Sequence, residues 1–152
     1  SLAPSEMCIR DRDRIDREIR KAGITVLRDE TLTLNNELVL IGRNDNLAHD
    51  RPTTETLLKQ VNTDLPIILL DHRPTDIEKH TSLPLDIQVS GHAHKGQVFP
   101  ASLITKMMYR LDYGHEKIGN LHVFVTSGYG FWGIPMRLGS QSEVIIIDVK
   151  GK

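Results

Sequence analysis

The sequence predicts a layered α/β sandwich, and three observations carry that prediction. Apolar runs of strand length alternate with helix-period segments through the first part of the chain, while strand-like runs joined by Gly-rich turns dominate the rest. One run, Leu65 to Leu70, is apolar without alternation, as a central strand covered on both faces would be. The composition, 39% hydrophobic and 26% charged over 152 residues, suits a soluble domain with a real core.

The elements follow in order. Ile15, Ile19 and Ala22 recur at helical spacing before Gly23, so Asp13 to Ala22 reads as an amphipathic helix. Ile24 to Leu27 is a short β-branched run. Thr31–Leu34 and Glu37–Ile41 flank Asn35-Asn36 and read as a hairpin. Gly42 to Arg51 is polar and loop-like. Asn44 and Asp45 suit a solvated turn, although with Arg43 they could also face a phosphate. Pro52-Thr53-Thr54-Glu55 opens a helix that Thr53 can cap, with Leu57, Leu58 and Val61 as its buried stripe. Pro74 to His80 suits a short helix with Pro in its first turn. Asp86–Ser90 alternates; Met107–Leu111, Leu121–Thr126 and Val144–Val149 complete the expected strands.

Several function classes recede on composition. A net charge of −1 offers no broad electrostatic attraction for nucleic acid. A single cysteine, Cys8, excludes an intrachain disulfide. No apolar run approaches the roughly 18 residues that span a bilayer, and no apolar leader opens the sequence. The opening SLAPSEMCIRDR resembles translated sequencing-adapter sequence, so residues 1–12 are expected to be non-native or disordered.

Three of the seven histidines stand at expected strand ends. His72 follows LPIILL, and His92 and His94 follow DIQVSG. Ligands collect beyond the carboxyl ends of strands in open α/β sheets. Histidines at i and i+2 share one side of an extended backbone, and Gly91 frees the chain to turn. Neutral imidazole suits several divalent metals. Two surface histidines can also share that spacing; the third, at a separate strand end, makes a metal as reasonable a reading as a chance surface pair. Asp71 could orient His72 or point to solvent. His49, His80, His115 and His122 read as surface or structural histidines. Gly128-Tyr129-Gly130-Phe131-Trp132-Gly133 has dinucleotide-loop spacing, but Pro135 follows where a helix is needed, so a loop packing Tyr129 and Trp132 beside the site is favoured.

With those residues in place, the chain resembles the calcineurin-like metallophosphoesterases. The resemblance rests on Leu69-Leu70-Asp71-His72, Gly91-His92-Ala93-His94 and the closing Thr126-Ser127-Gly128-Tyr129-Gly130 with Gly133, Pro135, Arg137 and Gly139. Lys21 to Leu27 and that closing segment are similar to the bacterial membrane-associated branch. The resemblance implies a metallophosphoesterase-like sandwich of which residues 13–152 are the C-terminal part. His72 and His92 would ligate one divalent ion and His94 a second, whether Mn, Fe, Zn, Mg or Ni. It implies hydrolysis of a small or lipid-linked phosphomonoester or phosphodiester by a metal-bound hydroxide. The family's Asp-x-His, Gly-Asp-x-x-Asp and Gly-Asn-His-Asp/Glu motifs are absent from the sequence, and with them the bridging carboxylate and general acid. The chain alone is therefore expected to bind metal weakly and to be nearly inactive, as part of a cytoplasmic or membrane-associated protein. Any membrane anchor would lie in the missing N-terminal half. The rival expectation is a non-catalytic α/β domain with structural metal binding or none.

Overall fold

The computed structural model describes residues 14–48, 50–133 and 135–150. The expectation for residues 1–12, the position of Asp13 and the surface reading of His49 lie outside those residues. The fold is mixed α/β, as the sequence predicted. Residues 14–21 form helix α1. Strands β1 (Glu30–Leu34) and β2 (Leu38–Gly42) precede α2 (Thr54–Leu58), β3 (Ile67–Leu70), α3 (Ile77–His80) and β4 (Ile87–Ser90). A short 3-10 turn, His94–Gly96, leads to α4 (Ala101–Met108), and β5 (Gly114–Ile118) and β6 (Leu121–Val125) close the sheet.

The six strands lie in the order β1-β2-β3-β4-β6-β5. The inner four are parallel, and each edge strand is antiparallel to its neighbour. The β1–β2 hairpin forms because Asn35 and Asn36 take the left-handed conformation, φ 51° and 58°, that primed hairpin turns require and asparagine tolerates. Thr53 caps α2 by accepting a hydrogen bond from the Thr56 N–H.

One face of the sheet is covered. Val39 and Ile41 on β2, Ile67 and Leu69 on β3 and Leu121, Val123 and Val125 on β6 pack against Leu57 and Leu58 of α2 and Ile77 of α3. On the same face β4 presents Gln88, fully buried. His80 of α3 bonds through Nδ1 to Gln88 Oε1 (2.8 Å) and through Nε2 to Thr54 Oγ1 (2.9 Å). His80 is thus a buried structural histidine that joins both helices to the sheet.

The other face is partly open, which corrects the reading of Leu65–Leu70 as a strand covered on both sides. Leu70 is 39% exposed although β3 is central in the sheet. Four further readings change. Met107–Leu111 is the end of α4 and a turn, because the 101–108 segment is helical through both methionines. Among the described residues Val144–Val149 pairs with no strand; Val144 and Ile146 are 76% and 92% exposed. Ile24–Leu27 is irregular, and α3 starts at Ile77, past Pro74, with Asp76 at its N-cap.

Burial pushes His80 below the ordinary imidazole range, and the Gln88 bond only partly offsets this. The folded chain thus resists a proton that the unfolded chain accepts. This stability is complete above the unfolded pKa, near 6.5, and is lost as pH falls below it, by at most about 1.4 kcal/mol per unit. Urea titrations at pH 7.5 and 5 should show the loss, and H80Q should flatten that slope while lowering stability at both.

Candidate metal centre

β3 and β4 are parallel neighbours with Leu70 opposite Val89, so both strands end at one edge of the sheet. His72 lies two residues beyond β3, and His92 lies two beyond β4. The Gly91 N–H donates to the His72 carbonyl (2.9 Å), which locks the two strand-end loops together. His92 Nδ1 stands 3.1 Å from His72 Nε2, with the rings edge to face at 80°. That is the separation of two donors that share one proton or one cation. Tyr109 lies edge-on to His92 at 6.4 Å between centroids, a neighbour that nothing in the spacing announced.

The convergence comes from a turn and not from an extended His-x-His. His92, His94, Lys95 and Gln97 all have positive φ, between 48° and 66°. Such non-glycine positions cost on the order of 1–3 kcal/mol each and cluster at functional sites. Gly91 is not the hinge: its φ is ordinary, and a Cβ there would meet Thr126 Cγ2 at a normal 3.8 Å.

His94 sits across from the β6 end. Its Nδ1–H donates to the Ser127 carbonyl at 3.1 Å, which leaves the Nε2 lone pair free to face a ligand. Arg137 holds the same loop by donating to the carbonyls of Ser127 (2.9 Å), Gly128 (3.0 Å) and Gly130 (2.6 Å). Glu143 accepts from the Ser127 N–H (2.9 Å). Among the described residues no group of three or more His, Cys, Asp or Glu converges on one point. His72 and His92 are therefore brought together, and His94 joins them electrostatically without completing a donor cage.

His72 is bracketed by two ion-pair clamps. On one side Asp71, with no side-chain exposure, receives Arg43 Nη1 (3.2 Å) and Arg51 Nη2. On the other, Arg73 donates to both oxygens of Asp45 (2.9 and 3.2 Å). The residues flanking His72 thus anchor the 43–52 loop. Asp71 neither points to solvent nor bonds the His72 ring, and Arg43 and Asp45 are engaged with protein, not free to face a phosphate. The sequence hid this because the partners are separated by 20 and 28 residues.

Desolvation is the largest cause lowering the pKa of His92, with the Arg73 guanidinium and His72 adding to it. Desolvation also dominates at His94, where the Ser127 bond opposes and Arg137 reinforces it. Both imidazoles are held neutral, the form that can ligate a metal. The Gly-rich loop packs its backbone near the site: Gln97 bonds both the N–H and the carbonyl of Trp132. The rings of Tyr129 and Trp132, 79% and 77% exposed, stand in solvent, contrary to the expectation that they pack beside the centre.

The chain is similar in sequence to several metallophosphoesterases. It is 36% identical over 141 residues to an uncharacterized metallophosphoesterase of Aquifex aeolicus (strain VF5), covering 88% of this chain and 54% of that protein. It is 35% identical over 135 residues to one of Helicobacter pylori (strain J99 / ATCC 700824), covering 85% and 36%. A transmembrane protein with metallophosphoesterase domain of Danio rerio is 37% identical over 99 residues, 63% of this chain and 23% of that protein. No protein-family model and no solved structure matches. The chain belongs to the metallophosphoesterase family, and it spans about half or less of the length of these curated relatives.

The Arg43–Asp71–Arg51 cluster yields a stability prediction. Asp71→Asn leaves two buried guanidiniums side by side without their counter-charge. Urea unfolding should register a loss of about 3–5 kcal/mol, the cost of breaking a buried pair from one side.

Proposed function

We propose that the chain supplies the His72, His92 and His94 side of a dinuclear centre in a metal-dependent phosphoester hydrolase, as the C-terminal part of a larger catalytic domain. The observation that carries this reading is the 3.1 Å approach of His92 Nδ1 to His72 Nε2 at one sheet edge. His72 and His92 would hold one ion, and His94, its tautomer set by Ser127, would face the second. The donors fit: neutral imidazole is a common ligand for Zn, Fe, Mn or Ni, and less suited to Mg. When bound, such ions stabilise the negative charge that builds on phosphoryl oxygens.

The chain's own residues position and limit the chemistry. The Gly91–His72 bond and the flanking clamps fix where His72 stands, and the strained 92–97 turn fixes His92 and His94. Three neutral imidazoles cannot offset the repulsion of two dications held about 3.5–4 Å apart. The chain by itself therefore binds one ion weakly and turns over little substrate. The substrate class is a phosphomonoester or phosphodiester, small or lipid-linked. The rival, a non-catalytic domain with structural or no metal binding, has the His72–His92 proton-sharing contact in its favour.

Titration with Co2+ or Zn2+, followed by calorimetry and visible absorption, tests the reading. At most one ion per chain should bind, and His72→Ala or His92→Ala should abolish it. Occupancy should fall at acid pH, where protons compete for the rings. Bis-p-nitrophenyl phosphate should be hydrolysed only when the preceding gene segment is joined to the chain. No binding by the wild-type chain would favour the rival, and turnover by the isolated chain would refute the inactivity.

A further inference from the structure

A second surface lies beside the candidate centre. None of the eight residues of α4 is buried, and one side of the helix presents Leu103, Ile104, Met107 and Met108, between 56% and 88% exposed. Residues at these spacings share one helical face. The Gly-rich loop adds Phe131 and Trp132, 53% and 77% exposed. The two segments are tied together: Gln97 bonds the Trp132 backbone, and the Phe99 N–H donates to the Leu138 carbonyl (2.8 Å). Six large apolar side chains exposed on two connected segments are more than the singly scattered apolar residues that need no explanation.

Its charge is equally uneven. Residues 94–111 and 126–142 contain no Asp or Glu, although the whole chain carries 20 acidic and 19 basic residues. Lys95, Lys106, Arg110 and Arg137 all fall within them. Arg110 is balanced from outside by Glu116 and Glu78. Lys95 stacks over the Tyr113 ring, and Arg137 donates to backbone carbonyls, so neither is neutralised by a carboxylate among the described residues. Lys106 is exposed on α4 itself.

We propose that α4 and the 129–132 loop form a docking surface for an anionic lipid bilayer. The apolar face of α4 would enter the interface, Trp132 would sit at headgroup depth, and Lys106 would reach toward lipid phosphates along its own stem. The charge pattern favours lipid over a second copy of the chain, because two such faces would bring like charges together. Since the strained 92–97 turn runs directly into α4, docking would set the His92 and His94 loop against the membrane surface. Docking itself requires no metal, so it stands or falls separately from the proposed hydrolase.

Trp132 is the chain's single tryptophan and a built-in reporter. Vesicles of phosphatidylglycerol mixed with phosphatidylcholine should shift its emission to the blue, and brominated acyl chains should quench it. Phosphatidylcholine alone should have little effect, and added salt should reverse the binding. Met107→Glu, at a position 88% exposed where folding does not depend on the side chain, should weaken partitioning by about tenfold or more. Lys106→Glu should weaken it on the anionic vesicles. Absence of a shift on the anionic vesicles would overturn the proposal. So would equal partitioning into phosphatidylcholine, or a blue shift that grows with protein concentration without lipid, which would mark a self-association face.

Discussion

The parallel pairing of β3 with β4 is the constraint on which the rest of the site depends. It sets Leu70 opposite Val89 and stops both strands at the same edge, so two loops far apart in sequence begin side by side. The Gly91–His72 backbone bond extends the pairing past the last ladder residue. The imidazoles of His72 and His92 meet because their backbones already do. A slip of one residue in this register would send one ring to the wrong face of the sheet.

Around that pairing the protein has placed its costliest features. Buried charges, orphaned guanidinium nitrogens at Arg43 and Arg51, which reach Asp71 beside His72, and a run of left-handed non-glycine residues from His92 to Gln97 all lie on or against the loops that carry the histidines. The core beneath is conventional, with aliphatic side chains from β2, β3 and β6 against α2 and α3. That division of labour, a stable apolar layer carrying a strained and polar edge, is what a site needs when its groups must be held in place before a ligand arrives.

The sheet is asymmetric. Helices α2 and α3 cover one face, and the His80–Gln88–Thr54 network pins them there. The opposite face leaves Leu70 partly open, and the apolar 144–149 segment forms no ladder. A domain with one finished and one unfinished face explains why Val144–Val149 reads as a strand yet pairs with none: β-propensity describes fitness for a pleated surface and supplies no neighbour. The same limit applies at Met107 and Met108, whose apolar character fits strand or helix and whose helical neighbours decided the outcome.

The sequence by itself determined the α/β class, the Asn-Asn hairpin, the Thr53 cap, the central apolar strand and three strand-end histidines, because each depends on residues adjacent in the chain or repeated at a fixed period. It also held the family resemblance that relatives in Aquifex and Helicobacter bear out. Tertiary structure alone decided that His72 touches His92 while His94 turns to Ser127, and that Asp71 serves Arg43 and Arg51 instead of a histidine ring. It also decided that Tyr129 and Trp132 face outward. These outcomes depend on which strands become neighbours and which loops they carry together. Contacts across 20 to 43 residues follow from that packing and leave no local period to read.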